Sequence, residues 1–191
     1  IGNIINDTGD DGIDLDGSED ALIKDNKIGL LGGGYNIGDD GIDLDNSAGA
    51  TIRDNKIQNT TENGIDVRGS DNTDIINNVI RFAGLNGVYV NPSDYVRILD
   101  NVITDVDADG VHVEEGYDIR VRRNTIRRTG DDGIDINKND RVRVTSNTVT
   151  ETRKRGISIE RAKDELENYA VVVRDNTVKD TGRTAIVVDR F

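Results

Sequence analysis

The chain has no cysteine, methionine or tryptophan, and one proline among its 191 residues. Without cysteine no disulfide can staple it, and the redox compartment stays open, because a repeat protein of this size does not need one. No stretch of 18 apolar residues occurs, which excludes a helical membrane span. Hydrophobic residues make up 34% and aromatics 4%, thin provision for a globule but enough for the narrow core of a solenoid. Helix-period patterning is missing too, except over residues 162–169, where one short helix is expected. Basic residues are scarce in the first half. Residues 1–96 carry 6 Lys and Arg against 18 Asp and Glu, and residues 97–191 carry 18 against 19. That balance argues against a nucleic-acid partner, which needs a basic face.

What the sequence does have is a repeat. An asparagine returns at Asn3, Asn26, Asn55, Asn78, Asn101, Asn124, Asn147 and Asn176, at intervals of 23 residues with two of 29. The long intervals are the same period with six residues inserted, around residues 31–36 and within 160–169. Two places after the asparagine the residue is always aliphatic, from Ile5 to Val178. Nine places after it comes glycine, as in Gly64, Gly87, Gly110 and Gly133; Ala185 is the one exception. Alternating apolar pairs follow, such as Val111 and Val113, and a further pair closes the unit, such as Val121 and Ile119. Three period-two segments per unit are three short strands. The pattern predicts an all-β, single-stranded parallel β-helix of about eight rungs, right-handed by the rule for parallel connections. The asparagines then point inward as a ladder of amides satisfying one another. Residues 1–191 read as one domain, and as a piece of a longer protein.

Stacking the Gly-led strands defines an outward column: Asp14, Asp43, Asp66, Tyr89, His112, Asp135, Ser158 and Val187. The next outward column contains Asp16, Asp45, Arg68, Asn91, Glu114 and Asn137. His112 is the only histidine, and it falls one rung from Tyr89. Histidine titrates near neutrality and suits proton transfer. Around it, Arg68 and Asp135 complete a candidate catalytic set, with Asp66, Asn91, Glu114 and Tyr35 as substrate contacts. In the first two units Asp10, Asp11, Asp14 and Asp16 stack on Asp39, Asp40, Asp43 and Asp45. Unit charges one rung apart repel by about 0.9 kcal/mol in bulk water and by more where water is excluded. Calcium, which collects clustered oxygens, is the expected counter-ion. The two insertions flank the Gly-led strands and are expected to wall a groove along them.

The repeat resembles the right-handed parallel β-helix superfamily of polysaccharide lyases, alginate C-5 epimerases and polygalacturonases, over the whole chain. That resemblance implies an acidic, uronate-containing polysaccharide as partner and an extracellular or cell-surface setting. It implies proton abstraction beside the sugar carboxylate, with Arg68 or calcium neutralising the carboxylate, His112 as base and Tyr89 as acid or second base. A polygalacturonase-like hydrolase is an alternative, on Gly9-Asp10-Asp11, Gly38-Asp39-Asp40 and Gly130-Asp131-Asp132. The other class left open is a non-catalytic structural or glycan-binding solenoid, its open ends capped by neighbouring domains or chains.

Overall fold

The computed structural model describes residues 1–30, 36–161 and 170–190. Every regular element among them is a β-strand, and the strands assemble into three parallel sheets of eight, eight and seven members. One turn shows the plan. After Asn124 the chain runs through Thr125–Thr129 in sheet 1, Ile134–Asn137 in sheet 2 and Arg143–Thr145 in sheet 3. The next asparagine starts the following turn. Each strand pairs with its equivalents one repeat away, so Ile80, Ile103, Ile126 and Val149 lie over one another. The helix expected at residues 162–169, the insertion walls and Tyr35 lie outside the described residues.

The core is a single file of aliphatic columns. Ile57, Ile80, Ile103 and Ile126 fill it from sheet 1, Val67, Val90, Val113 and Ile136 from sheet 2, and Ile52, Ile75, Ile98 and Val121 from sheet 3. β-branched residues dominate because they pack well on a pleated surface. The glycine at position nine has a steric origin. A Cβ on Gly110 would lie 2.4 Å from Ile126 Cγ2 and 2.5 Å from the Gly133 carbonyl oxygen of the next turn. Ala185, the exception, sits on the last described turn.

The asparagine column is buried, with Asn78 and Asn101 fully enclosed. Each interior amide spends its whole hydrogen-bonding capacity. Asn101 Nδ2 donates to Asn124 Oδ1 at 3.1 Å and to the Ile75 carbonyl of the preceding turn at 2.9 Å. Its Oδ1 accepts from both Asn78 N and Asn78 Nδ2, at 2.8 and 3.1 Å. The same pattern recurs at Asn78 and Asn124. The left-handed backbone of this corner belongs to the residue before the asparagine, as at Asp54, Asn77, Asp100 and Arg123, with φ between 54° and 59°.

A second ladder was not foreseen. From Asp11 to Asp132, the Asp or Asn before the glycine of each Gly-led strand accepts a hydrogen bond from the backbone N–H of its counterpart one turn on. Asp40 N donates to Asp11 Oδ1, Asn63 N to Asp40 Oδ1, Asp109 N to Asn86 Oδ1 and Asp132 N to Asp109 Oδ1. Sheet 2 is thereby pinned at its entry by one backbone-to-side-chain bond per rung, fewer bonds than the asparagine column supplies to sheet 1.

Asn101→Leu leaves Asn78 N and one Asn78 Nδ2 hydrogen without their acceptor and takes the amide donor away from Asn124 Oδ1 and from the Ile75 carbonyl, at ~1–3 kcal/mol for each buried group left unsatisfied. A loss of ~3 kcal/mol predicts a melting midpoint lower by about 6–12 °C for a chain of this length. An unchanged midpoint in a thermal scan contradicts the ladder.

Candidate functional site

Sheet 2 builds the site, because its register brings unlike side chains together on successive rungs. Asp66, Tyr89, His112 and Asp135 are direct Cα partners in one column. Tyr89 and His112 stack, with ring centroids 5.5 Å apart and planes inclined by 22°. His112 Nδ1 lies 2.9 Å from Asp109 Oδ2 and 3.5 Å from Asp135 Oδ2. An ionised Asp109 at that distance selects the tautomer with hydrogen on Nδ1 and leaves Nε2 its lone pair. Among the described residues nothing hydrogen-bonds Nε2. Burial alone pulls the His112 pKa down, but the hydrogen bond to Asp109 and the charges of Asp109, Asp135 and Glu114 raise it above the ordinary value. The Tyr89 hydroxyl accepts a hydrogen bond from Asn91 Nδ2 at 3.1 Å, and the Arg68 guanidinium lies 5.7 Å from the Tyr89 ring centre.

One rung earlier is a knot of carboxyl groups. Asp66 is fully buried; its Oδ2 meets Arg68 at 2.5 Å and accepts from Asn63 Nδ2 at 3.0 Å. Its Oδ1 has no partner, and neither does buried Oδ1 of Asp43. Asp40, Asp43 and Asp66 bring one oxygen each within 4.8 Å of one another. Burial pushes the Asp43 carboxyl up to about 6, with help from Asp45 and Asp11. Burial, followed by mutual repulsion, holds Asp40 and Asp66 above the usual carboxyl range despite Arg68. This group therefore shares protons near neutral pH, a condition that a divalent cation would relieve.

The sequence-derived site is thus partly rearranged. Tyr89, His112, Arg68 and Asp135 come together as expected. Asp66 is not an exposed substrate contact: Arg68 and Asn63 cover it. Asn91 and Glu114 are neighbours, 3.4 Å apart, and Lys138 takes Glu114 at 2.7 Å. Of the expected metal ligands, Asp14 stacks on Asp43 and Asp16 on Asp45 in register, yet among the described residues Asp14, Asp16 and Asp45 join no compact oxygen cluster. Asp10, Asp11 and Asp39 form one, Asp39, Asp40 and Glu62 a second, and the Asp40–Asp43–Asp66 knot a third. Asp11 and Asp40 each spend an oxygen on the second ladder. Sequence reasoning missed Asp109 and Asn63. The signal was available as the Asp or Asn standing before the glycine in unit after unit.

A family model described as "Right handed beta helix region" matches residues 40–190. Comparison with curated protein sequences finds no match. Among solved structures, the periplasmic alginate epimerase AlgG superposes with a TM-score of 0.71 at 19% identity, over 94% of this chain and 44% of that one. The A-module of the Azotobacter vinelandii mannuronan C-5 epimerase AlgE6 gives 0.68 at 16%, over 88% and 55%. The AlgE4 A-module from the same organism gives 0.60 at 13%, over 90% and 58%. Likeness at these identities is likeness of fold. The chain spans about half the length of these proteins.

The carboxyl knot predicts an unusual pH profile. Asp40, Asp43 and Asp66 hold protons in the folded state that the unfolded chain, with carboxyl pKa near 4, has released. Their contribution is complete below about pH 4 and is lost as pH rises through the folded values. His112, also raised, acts with the same sign above about pH 6.5. Asp100 and Asp105, held low by Arg123 and Arg128, act oppositely, and their contribution falls away only in stronger acid. Thermal midpoints in low-calcium buffer should therefore fall from about pH 5 to pH 8, and Asp66→Asn should flatten that fall. A midpoint that rises over this range contradicts the assignment.

Proposed function

Since the chain belongs to the right-handed β-helix family, we propose that sheet 2 is a catalytic face acting on an acidic, uronate-containing polysaccharide by proton abstraction next to the sugar carboxylate. The observation that carries this reading is the Tyr89–His112 stack, with His112 oriented by Asp109 and Arg68 alongside. In the proposed step neutral His112 takes the proton from the carbon bearing the carboxylate. The electron pair left behind moves into the carboxylate group, where the Arg68 cation opposes the added charge. Tyr89 then acts as acid. Delivering its proton to the same carbon from the other face completes an epimerisation; delivering it to the departing glycosidic oxygen completes an elimination. Asp109 and Asp135 keep the imidazole in place and stabilise its charged form. The superposed alginate epimerases support the polysaccharide class, and the periplasmic setting of AlgG supports an extracytoplasmic one.

Calcium belongs to the same proposal. The Asp40–Asp43–Asp66 oxygens fit a hard cation, with two of them buried and unpartnered. Bound there, calcium would stabilise the fold and add positive charge beside Arg68. The end turns expose Ile4 on one side and Ile186 and Val188 on the other, which suits covering by neighbouring domains or chains.

Incubation with polymannuronate and polygalacturonate should give either ultraviolet absorbance from unsaturated ends or a changed uronate composition. His112→Ala and Tyr89→Phe should each lower the rate by about 10²-fold or more while leaving binding within a few-fold. Turnover that survives in both variants contradicts the site; binding without turnover in the parent chain makes it a glycan-binding solenoid. Calcium should raise the melting midpoint of the parent but not of Asp66→Asn, and an equal response in both removes the knot as the metal site.

A further inference from the structure

We propose that sheet 3 carries a second glycan site, a trough that holds an extended acidic polysaccharide by alternating guanidinium contacts and a tyrosine platform. It uses none of the catalytic-face residues and shares with that reading only the substrate class. In this sheet Arg97, Arg120 and Arg143 are register partners on three successive turns, and Arg122 stands beside them, facing the same way as Arg120. Two depressions lie over the strands, of about 700 Å³ and about 270 Å³, and they adjoin at Arg97 and Arg120, which line both.

The charge in the trough runs against that of the molecule. The chain carries a net −13, yet here cations outnumber anions. Asp118, nearly buried, is shared by three guanidiniums: Arg120 and Arg143 at 3.1 Å and Arg141 at 3.7 Å. Arg97 is matched by Asp74 and Arg123 by Asp100. Arg122 has no hydrogen bond or ion pair among the described residues. One carboxylate is shared by three arginines, and beside them Arg122 feels only the longer-range pull of Asp100, whose oxygens Arg123 holds, so the strip keeps a surplus of positive charge. Like charges at rung spacing repel, so the strip is costly unless an anion lies along it.

The aromatic end of the trough selects a sugar. Tyr95 lines the smaller depression and is about half exposed. It meets Tyr117 edge to face at 5.6 Å, and Arg141 lies over the Tyr117 ring. Tyr95 also occupies a left-handed corner with φ of 58°, where Asp20, Gly49, Asn72, Asp118 and Arg141 stand on other turns. Gly, Asn and Asp tolerate the conformation best, whereas a bulky aromatic is strained by it. A strained, exposed tyrosine at the head of a guanidinium row suits a pyranose face stacked on the ring, with carboxylates reaching the forks. The arginines recur at ~4.8 Å, close to the length of one sugar unit, so a polyuronate presents about one carboxylate per rung.

The test is calorimetric binding of oligo-uronates to the His112→Ala chain, which leaves ligand unconsumed. Arg122→Glu should weaken binding about tenfold, and raised salt should weaken it further. Tyr95→Asn should also weaken it about tenfold while its melting midpoint stays level or rises, because asparagine relaxes the corner. A neutral oligosaccharide should not compete. Unchanged affinity in both variants overturns the proposal, as does displacement of the uronate by single-stranded DNA of equal charge. Failure of the catalytic reading looks different: binding and its two variant losses persist, and the parent chain shows no turnover.

Discussion

The structure depends on one hydrogen-bonded column, the amides running from Asn3 to Asn176. A buried asparagine has two donors and an acceptor that takes two, and each interior rung supplies partners for all four. That saturation can be met only when every turn has the same length at this corner. The 23-residue interval is the consequence, and the two longer intervals are compatible because their additional residues leave the column unbroken. A β-sheet register is otherwise easily slipped, and one residue of slip reverses which side chains face the core. Here a slip would also strand the amides.

Function is inherited from that fixed register. Tyr89 can stack on His112 only because residues 23 apart are held face to face, and Asp109 can reach His112 because the second ladder anchors its other oxygen to Asp132 N. The same rigidity forces costs elsewhere. Asp40, Asp43 and Asp66 are packed together by the stacking rule, not by mutual attraction, and their raised proton affinities record that strain. Sheet 3 shows the mirror image, guanidiniums aligned by register around one shared carboxylate. A solenoid thus concentrates like charge in rows unless its sequence alternates sign, and rows of like charge are ready sites for ligands of the other sign.

The sequence made the fold legible because period, glycine spacing and alternation all express the same geometry. The outward columns were legible for that reason too: Asp66, Tyr89, His112 and Asp135 are register partners as read. What periodicity could not supply was depth. Asp66 alternates outward yet is covered by the long Arg68 side chain and by Asn63 from the turn before its strand. Asp109 was overlooked because it precedes the strand, where alternation no longer assigns a direction. The grouping of carboxyl oxygens differs from the stacked columns for a similar reason: Asp40, which precedes its strand, meets Asp43 and Asp66, whereas Asp16 and Asp45 join no such group among the described residues. Tyr95 and Arg122 were visible only as polar residues, since the surplus of charge depends on which acids they meet.

The central claim is that His112 removes a proton from a uronate ring carbon. It is tested most directly by incubating polymannuronate and polygalacturonate with the chain in heavy water and analysing the polymers by proton NMR and mass spectrometry. The account predicts deuterium at the carbon bearing the carboxylate, or an unsaturated end formed at that carbon, with both signals lost in His112→Ala. Polymers recovered unlabelled and saturated from a folded, glycan-binding chain would contradict it.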